Sequence, residues 1–171
     1  MPITTVKDIM TEVVETLQVG DTLAMARRQI ERGGIHHLPV IDDDEHVIGL
    51  ITHHRILEAW ISHGHPNTES VAEVAGDIPI DMLMEKDVVT VDADAPAAEA
   101  ARLIETNRFG SLPVTKGDKL VGIVTAGDFV RFAQRHFEAE GQQKPPAKVV
   151  NERTKRRGSS ASRSAKGRKS R

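Results

Sequence analysis

An internal repeat restricts this chain to a small group of folds. A displacement of 74 residues superposes identical residues of the two copies: Met10 on Met84, Thr16 on Thr90, Ile30 on Ile104, and Leu38-Pro39-Val40 on Leu112-Pro113-Val114. After a turn that is one residue shorter in the second copy, a displacement of 73 aligns residues 47–52 with residues 120–125. Two copies of one supersecondary unit therefore fill most of residues 6–137.

Each copy predicts a helix, a β-hairpin and a second helix, in that order. The first helix is expected to end at Gly33 in one copy and at Asn107 in the other, two residue types that tolerate a left-handed backbone. Apolar strands around a polar turn predict the hairpin. The second helix is expected to begin at Thr52 or Thr125 and to bury an apolar face, which contains Ile56, Leu57, Trp60 and Ile61 in the first copy and Phe129, Val130, Phe132 and Ala133 in the second.

The short length of each unit predicts that the two copies fold together. A unit this small buries too little apolar surface to be comfortably stable alone, and pairing of the two sheets supplies the missing core. The predicted fold class is therefore α/β (α+β), with two β-α-β-β-α repeats paired by pseudo-twofold symmetry. The predicted boundaries are a first repeat at 6–64, a linker at 65–78, a second repeat at 79–137 and a disordered basic tail at 138–171. The junction should contain two related clefts that suit small molecules.

The charges are divided unevenly along the chain. Residues 1–150 contain 14 Lys and Arg against 24 Asp and Glu, whereas residues 151–171 contain nine against one. The tail has almost no apolar residues that could offset the entropy of ordering, so disorder is predicted there. A basic tail also allows a second hypothesis, in which the chain binds nucleic acid non-specifically or binds an acidic partner through residues 151–171.

The composition and the motifs exclude several classes of protein. No segment approaches the roughly 20 apolar residues of a membrane helix, and the first residues lack a basic leader, which predicts a cytoplasmic protein without a membrane partner. The absence of cysteine excludes disulfides and thiolate chemistry. The sequence lacks the common hydrolase, metalloprotease, dinucleotide and phosphate-loop motifs, so a non-enzymatic role is expected.

Three groups of residues carry a family resemblance. They are Met10-Thr11 at the start of the first copy, the Leu-Pro-Val strand of each copy, and the stretch Gly122-Ile123-Val124-Thr125-Ala126-Gly127-Asp128. In these features the chain resembles the tandem cystathionine β-synthase (CBS) domain pair. The resemblance implies a regulatory module that needs no cofactor, binds AMP, ADP, ATP or S-adenosylmethionine as a regulatory ligand, and signals to an unknown target protein. It also implies a homodimer.

The resemblance places a nucleotide in one cleft between the repeats. Asp128 would accept hydrogen bonds from the ribose, and Thr125 with the helix start would face the phosphates, an arrangement that suits the positive end of a helix dipole. The opposite wall would come from the first repeat and contain Val14, Thr16, Ile35, His36, His37 and Pro39. The same threonine and aspartate also match a helix-capping box, so a purely structural role is the alternative.

The second cleft departs from the family pattern because Arg55 occupies the position that corresponds to Asp128. An arginine cannot accept a hydrogen bond from a ribose hydroxyl. The cleft would contain Thr52, Arg55, Val88, Thr90, Phe109, Gly110 and Ser111. It could bind a phosphate-rich ligand differently or bind none, with Arg55 satisfied by acidic neighbours.

Six of the eight histidines lie close together in the sequence, as His36-His37, His53-His54, and His63 with His65. Neighbouring side chains on a strand point to opposite faces, so a pair such as His36-His37 cannot chelate a metal by itself. Two pairs could still converge on a zinc, nickel or copper ion. A metal sensor is therefore a further alternative, although polar side chains that line the cleft are the expected case and no metal site is assigned.

Overall fold

The computed structural model describes residues 4–62 and 78–139, without the side chain of Trp60. The first repeat contains β1 (Leu17–Gln18), α1 (Leu23–Gly33), β2 (His37–Ile41), β3 (Val47–Thr52) and α2 (His53–Ser62). The second contains β4 (Val91–Asp92), α3 (Ala97–Asn107), β5 (Ser111–Lys116), β6 (Lys119–Thr125) and α4 (Ala126–Ala139). A short 3₁₀ turn precedes each repeat, at Val6–Asp8 and at Ile80–Met82. The predicted mixed fold of two β-α-β-β-α repeats is confirmed.

Each repeat forms a three-stranded sheet with the same pairing. The first strand lies parallel to the second, and the second lies antiparallel to the third. The strand order is β1-β2-β3 in one sheet and β4-β5-β6 in the other. Even the register shifts coincide, because one lies between Val40 and Ile41 and the other between Val114 and Thr115. The internal repeat of the sequence is therefore a repeat of the structure.

The segment that leads into each repeat packs on the other repeat. We call residues 4–11 and 78–85 the lead segments. Val6 is fully buried in the core of the second repeat, and Ile80 is fully buried in the core of the first. The backbones of Thr11 and Ile123 exchange two hydrogen bonds of 2.9 and 3.0 Å, and those of Glu85 and Leu50 exchange two of 2.9 Å. Each core is thus completed by a segment from the neighbouring copy.

Two equivalent glycines allow this close approach. A Cβ atom on Gly122 would lie 2.6 Å from the sulfur of Met10, and one on Gly49 would lie 2.3 Å from the sulfur of Met84. Any larger residue at either position would force the methionine side chain to move and would press on the backbone carbonyl of Thr11 or Glu85. The repeated Met and Gly of the sequence are therefore partners in space, although they lie in different copies.

The first helix of each repeat ends at the expected residue, but the left-handed backbone falls on the next one. Gly33 and Asn107 are the last helical residues, and the left-handed residues are Gly34, with a φ of 59°, and Arg108, with a φ of 57°. Asn107 instead donates its side-chain amide to the carbonyl of Leu103 in the last turn. The prediction was wrong by one position because the sequence shows which residue types tolerate the left-handed region but not which of two neighbours adopts it.

The apolar face predicted for the second helix of each repeat is only partly buried. Ile56 and Ala59 pack into the first core, but Leu57 is 45% exposed and Ile61 is 75% exposed. In α4, Phe129 and Phe132 pack on the second core while Val130 is 68% exposed. Each helix contacts its sheet along a narrower stripe than its apolar composition suggests.

Three predicted features lie largely outside the described residues. They are the linker, the side-chain packing of Trp60 and the basic tail, apart from its first two residues, which continue α4 to Ala139. The boundaries of the repeats and the disorder of the tail remain predictions.

Candidate functional site

A cleft of about 380 Å³ opens at the junction of the two repeats. Three short segments enclose it: residues 11–15, which follow the first lead segment; residues 34–37, between α1 and β2; and the carboxyl end of β6. Its lining residues are Thr11, Val13, Val14, Glu15, Gly34, Ile35, His36, His37, Ile123 and Thr125. Residues of both repeats therefore form one concave surface, as the repeat pairing predicted.

Five of the eight residues predicted for this cleft line it: Val14, Ile35, His36, His37 and Thr125. Thr16 lines an adjoining cleft of about 650 Å³, which shares Val13 and Val14 with the first. Pro39 is buried within β2. Asp128 is only 4% exposed and lies behind the lining residue Thr125.

Thr125 and Asp128 form a capping box at the start of α4. The Asp128 Oδ2 atom accepts hydrogen bonds from the Thr125 backbone N–H at 2.8 Å and from its hydroxyl at 2.6 Å. In return, the Asp128 backbone N–H donates to the Thr125 hydroxyl at 3.3 Å. The structural alternative considered for these residues is thus observed. Thr125, which lines the cleft, directly precedes α4, so this helix begins at the edge of the cleft, where an anion would be stabilised.

The other oxygen of the Asp128 carboxylate connects the two repeats. Its Oδ1 atom accepts a hydrogen bond from the guanidinium of Arg131, one turn further along α4, and lies 3.5 Å from the hydroxyl of Thr11. Thr11 belongs to the lead segment of the first repeat. A buried carboxylate from one repeat is therefore in contact with a hydroxyl from the other at the edge of the cleft.

The cleft histidines differ in their surroundings. His36 is exposed, and its ring meets the ring of His53 edge-on with centroids 5.8 Å apart. His37 is half-buried, and a Cβ atom on Gly110 would lie 2.3 Å from its Nε2 atom. Burial lowers the pKa of His37 below its usual value, and the neighbouring His36 lowers it further. His37 is therefore a neutral hydrogen-bonding group near neutral pH.

Within residues 4–62 and 78–139 there is no cluster of three or more metal-ligating His, Asp or Glu side chains. The ring contact between His36 and His53 brings together two of the predicted groups. His63 and His65 lie outside the described residues, so the metal hypothesis is not tested on them.

The seven residues predicted for the second cleft have mixed environments. Arg55 pairs with Glu58 at 3.1 Å, and its backbone N–H donates to the Thr52 hydroxyl at 3.3 Å. Phe109 packs on the second core, and Ser111 is 3% exposed with a buried hydroxyl. Gly110 packs against His37, Val88 is half-buried and Thr90 is exposed.

Sequence reasoning missed five lining residues of the first cleft: Thr11, Val13, Glu15, Gly34 and Ile123. Thr11 had a signal, because the Met-Thr pair was noticed as a family feature. Its place beside Asp128 follows from the pairing of the first lead segment with β6, which the local pattern does not contain. Val13 is 91% exposed beside the cleft, a property that only the structure shows.

Comparison with known families identifies the repeat. The CBS domain pattern matches residues 6–62 and again residues 75–135. The chain belongs to the CBS domain family. An uncharacterized protein of Methanocaldococcus jannaschii, MJ1404, is 31% identical over 163 residues, and the match covers 88% of this chain but 38% of that protein. The chain thus spans well under half the length of this CBS relative.

Solved structures share the architecture of the CBS pair. A Vibrio cholerae protein assigned to acetoin utilization (AcuB) has a TM-score of 0.70 at 30% identity, covering 84% of this chain and 99% of that one. The CBS domain pair of protein MJ0100, solved with 5′-methylthioadenosine and S-adenosylmethionine, has a TM-score of 0.64 at 26% identity, with coverages of 79% and 99%. CBSX2, solved with AMP, has a TM-score of 0.65 at 25% identity, with coverages of 77% and 97%.

The helices were also compared with the requirements of a membrane span. In the described part of the chain, none combines the length and the apolar composition needed to cross a bilayer.

Proposed function

We propose that this chain is a regulatory module that binds an adenine nucleotide in the cleft between its two CBS repeats. The observation that carries the proposal is the composition of the cleft, which joins apolar residues of the first repeat to Ile123 and Thr125 of the second, and Thr125 directly precedes α4. The complexes of MJ0100 and CBSX2 with adenine-containing ligands support the same class of ligand.

Each part of the cleft suits one part of such a ligand. Val14 and Ile35 offer apolar contact to an adenine ring. Asp128 lies behind Thr125, and its carboxylate could accept a hydrogen bond from a ribose hydroxyl in place of one of its present donors. The first N–H groups of α4 can bind a phosphate, with His36 and His37 nearby as donors. We propose these as the contacts of the module and assign it no catalytic step.

The mechanism of signalling follows from the fact that both repeats form the cleft. A ligand that contacts residues 11–15, residues 34–37 and the start of α4 would stabilise one arrangement of the repeats, and a target protein could then recognise that arrangement. We also propose that the chain acts on a target protein, forms a homodimer and lies in the cytoplasm.

Thermal unfolding in the presence of single ligands tests the proposal. A ligand that binds only the folded protein at 100 times its Kd adds about 2.7 kcal/mol of stability. We expect at least one of AMP, ADP, ATP or S-adenosylmethionine to raise the Tm, and GTP to raise it less. The ligand-induced increment should be much smaller in Asp128→Asn, while Asp118→Asn, in the exposed turn between β5 and β6, should retain it.

Comparing increments rather than Tm values separates binding from the loss of the helix cap. No increment with any adenine compound would contradict the proposal. An increment with zinc alone would favour the histidines, and one with nucleic acid that disappears in a chain ending at Gly141 would favour the basic tail.

A further inference from the structure

Every acceptor position of the Asp128 carboxylate is engaged. Oδ2 accepts from the backbone N–H and the hydroxyl of Thr125, at 2.8 and 2.6 Å. Oδ1 accepts from the guanidinium of Arg131 and faces the hydroxyl of Thr11 at 3.5 Å. A carboxylate has about four lone-pair positions. A ribose can therefore reach this carboxylate only by displacing one of the present donors.

Arg131 and Thr11 are the two donors outside the helix cap, and Arg131 is the charged one whose loss a ligand would have to replace. The two Thr125 donors are part of the helix cap, and the backbone of α4 fixes them. The Arg131 side chain is 63% exposed, so its guanidinium can return to water with little loss of solvation. Rotation about its own side-chain bonds is sufficient to expose Oδ1.

Arg131 already lies beside the first turn of α4, and a displaced side chain would stay within reach of that turn. Its Nη1 atom lies 3.5 Å from the position of a Cβ atom on Gly127, in the first turn of α4. The N–H groups of that turn are those that would face an anion. A guanidinium also binds phosphate in a two-pronged geometry that an ammonium cannot reproduce.

We infer that Arg131 determines specificity by making the cleft prefer phosphorylated adenosine to adenosine itself, an inference that rests on the proposed function. Adenosine would break the ion pair between Arg131 and Asp128 and leave the guanidinium without a replacement anion. AMP would break the same pair and supply its phosphate in return. The ion pair thus competes with the ribose for Asp128, and only a phosphorylated ligand gives Arg131 a new anion in exchange.

Calorimetric titration of the full chain with adenosine and with AMP tests this inference. The quantity of interest is the ratio of the Kd for adenosine to the Kd for AMP. We expect Arg131→Gln to lower this ratio about tenfold, because adenosine binds more tightly and AMP more weakly. Arg135→Gln, which removes the same charge from an exposed position one turn further along α4, should leave the ratio within about twofold.

A second variant separates charge from geometry. Arg131→Lys keeps the positive charge but loses the two-pronged guanidinium geometry. Its ratio of the Kd for adenosine to the Kd for AMP should lie between those of the wild type and Arg131→Gln. A ratio unchanged in Arg131→Gln would overturn the inference while leaving the proposed function intact, and so would equal losses of AMP affinity in both glutamine variants. A wild-type chain that binds neither adenosine nor AMP would overturn the inference, and it would overturn the proposed function only if ADP, ATP and S-adenosylmethionine also left the Tm unchanged.

Discussion

At the scale of single residues, Asp128 shows how one side chain serves the fold and the candidate site together. Its carboxylate caps α4 through Thr125 and reaches the first repeat through Thr11. The sequence predicted both a cap and a ribose contact from the same tetrapeptide and could not separate them. They can coexist because the two oxygens have different partners, and Oδ1 has an exposed one, Arg131, whose side chain is 63% exposed.

The half-buried His37 predicts a specific dependence of stability on pH. Burial, and then His36, hold the pKa of His37 below the value of about 6.5 that it has in the unfolded chain. As the pH falls below that value, the unfolded chain takes up a proton that the folded chain does not yet bind. The folded state therefore loses stability until the pH has passed the folded pKa.

We expect His37→Asn to lose less stability than the wild type between pH 7 and pH 5, as measured by urea unfolding at both values. The control is His54→Asn, whose side chain is 79% exposed and which should follow the wild type. Identical acid sensitivity in His37→Asn and the wild type would show that another group is responsible.

At the scale of elements, the lead segments are the part of the fold that the sequence could not predict. Helix and strand periods are local properties, so the helices, the hairpins and the repeat were all within reach of sequence reasoning. The partner of a short segment such as Val6–Asp8 is a long-range property. Nothing in its pattern indicates that it packs on the second repeat rather than on the first. The same limit concealed the place of Thr11 in the cleft.

The narrow contact stripe of α2 has a similar cause. Apolar composition predicted that Leu57 and Ile61 would be buried, but burial also requires a partner surface. Ile56 and Ala59 occupy the available surface of the first core, and Leu57 and Ile61 face outwards.

The exchange of lead segments predicts a large effect at a short turn. Ile80 is fully buried in the core of the first repeat, so Ile80→Ala should lower the free energy of unfolding by about 2–5 kcal/mol. Met82 lies on the same turn and is 74% exposed, and Met82→Ala should change it by no more than about 0.5 kcal/mol. Denaturant unfolding measures both values, and similar values for the two variants would contradict the packing described here.

At the scale of the whole molecule, each repeat completes the core of the other. Each hydrophobic core contains a residue of the other repeat's lead segment, and the hairpin tips are joined by the Leu120 N–H to Glu45 carbonyl bond of 3.0 Å. The candidate cleft uses the same junction, because it combines residues 11–15 and 34–37 with the end of β6. A ligand in this cleft would therefore contact residues of both repeats.

Hydrogen–deuterium exchange of the full chain, with and without saturating AMP, tests the central proposal most directly. We predict slower exchange in residues 11–15 and 34–37 and at the start of α4, with α3, which does not line the cleft, unchanged as the internal control. Protection confined to one repeat, or centred on residues 52–55 and 88–90, would contradict a nucleotide site at the start of α4.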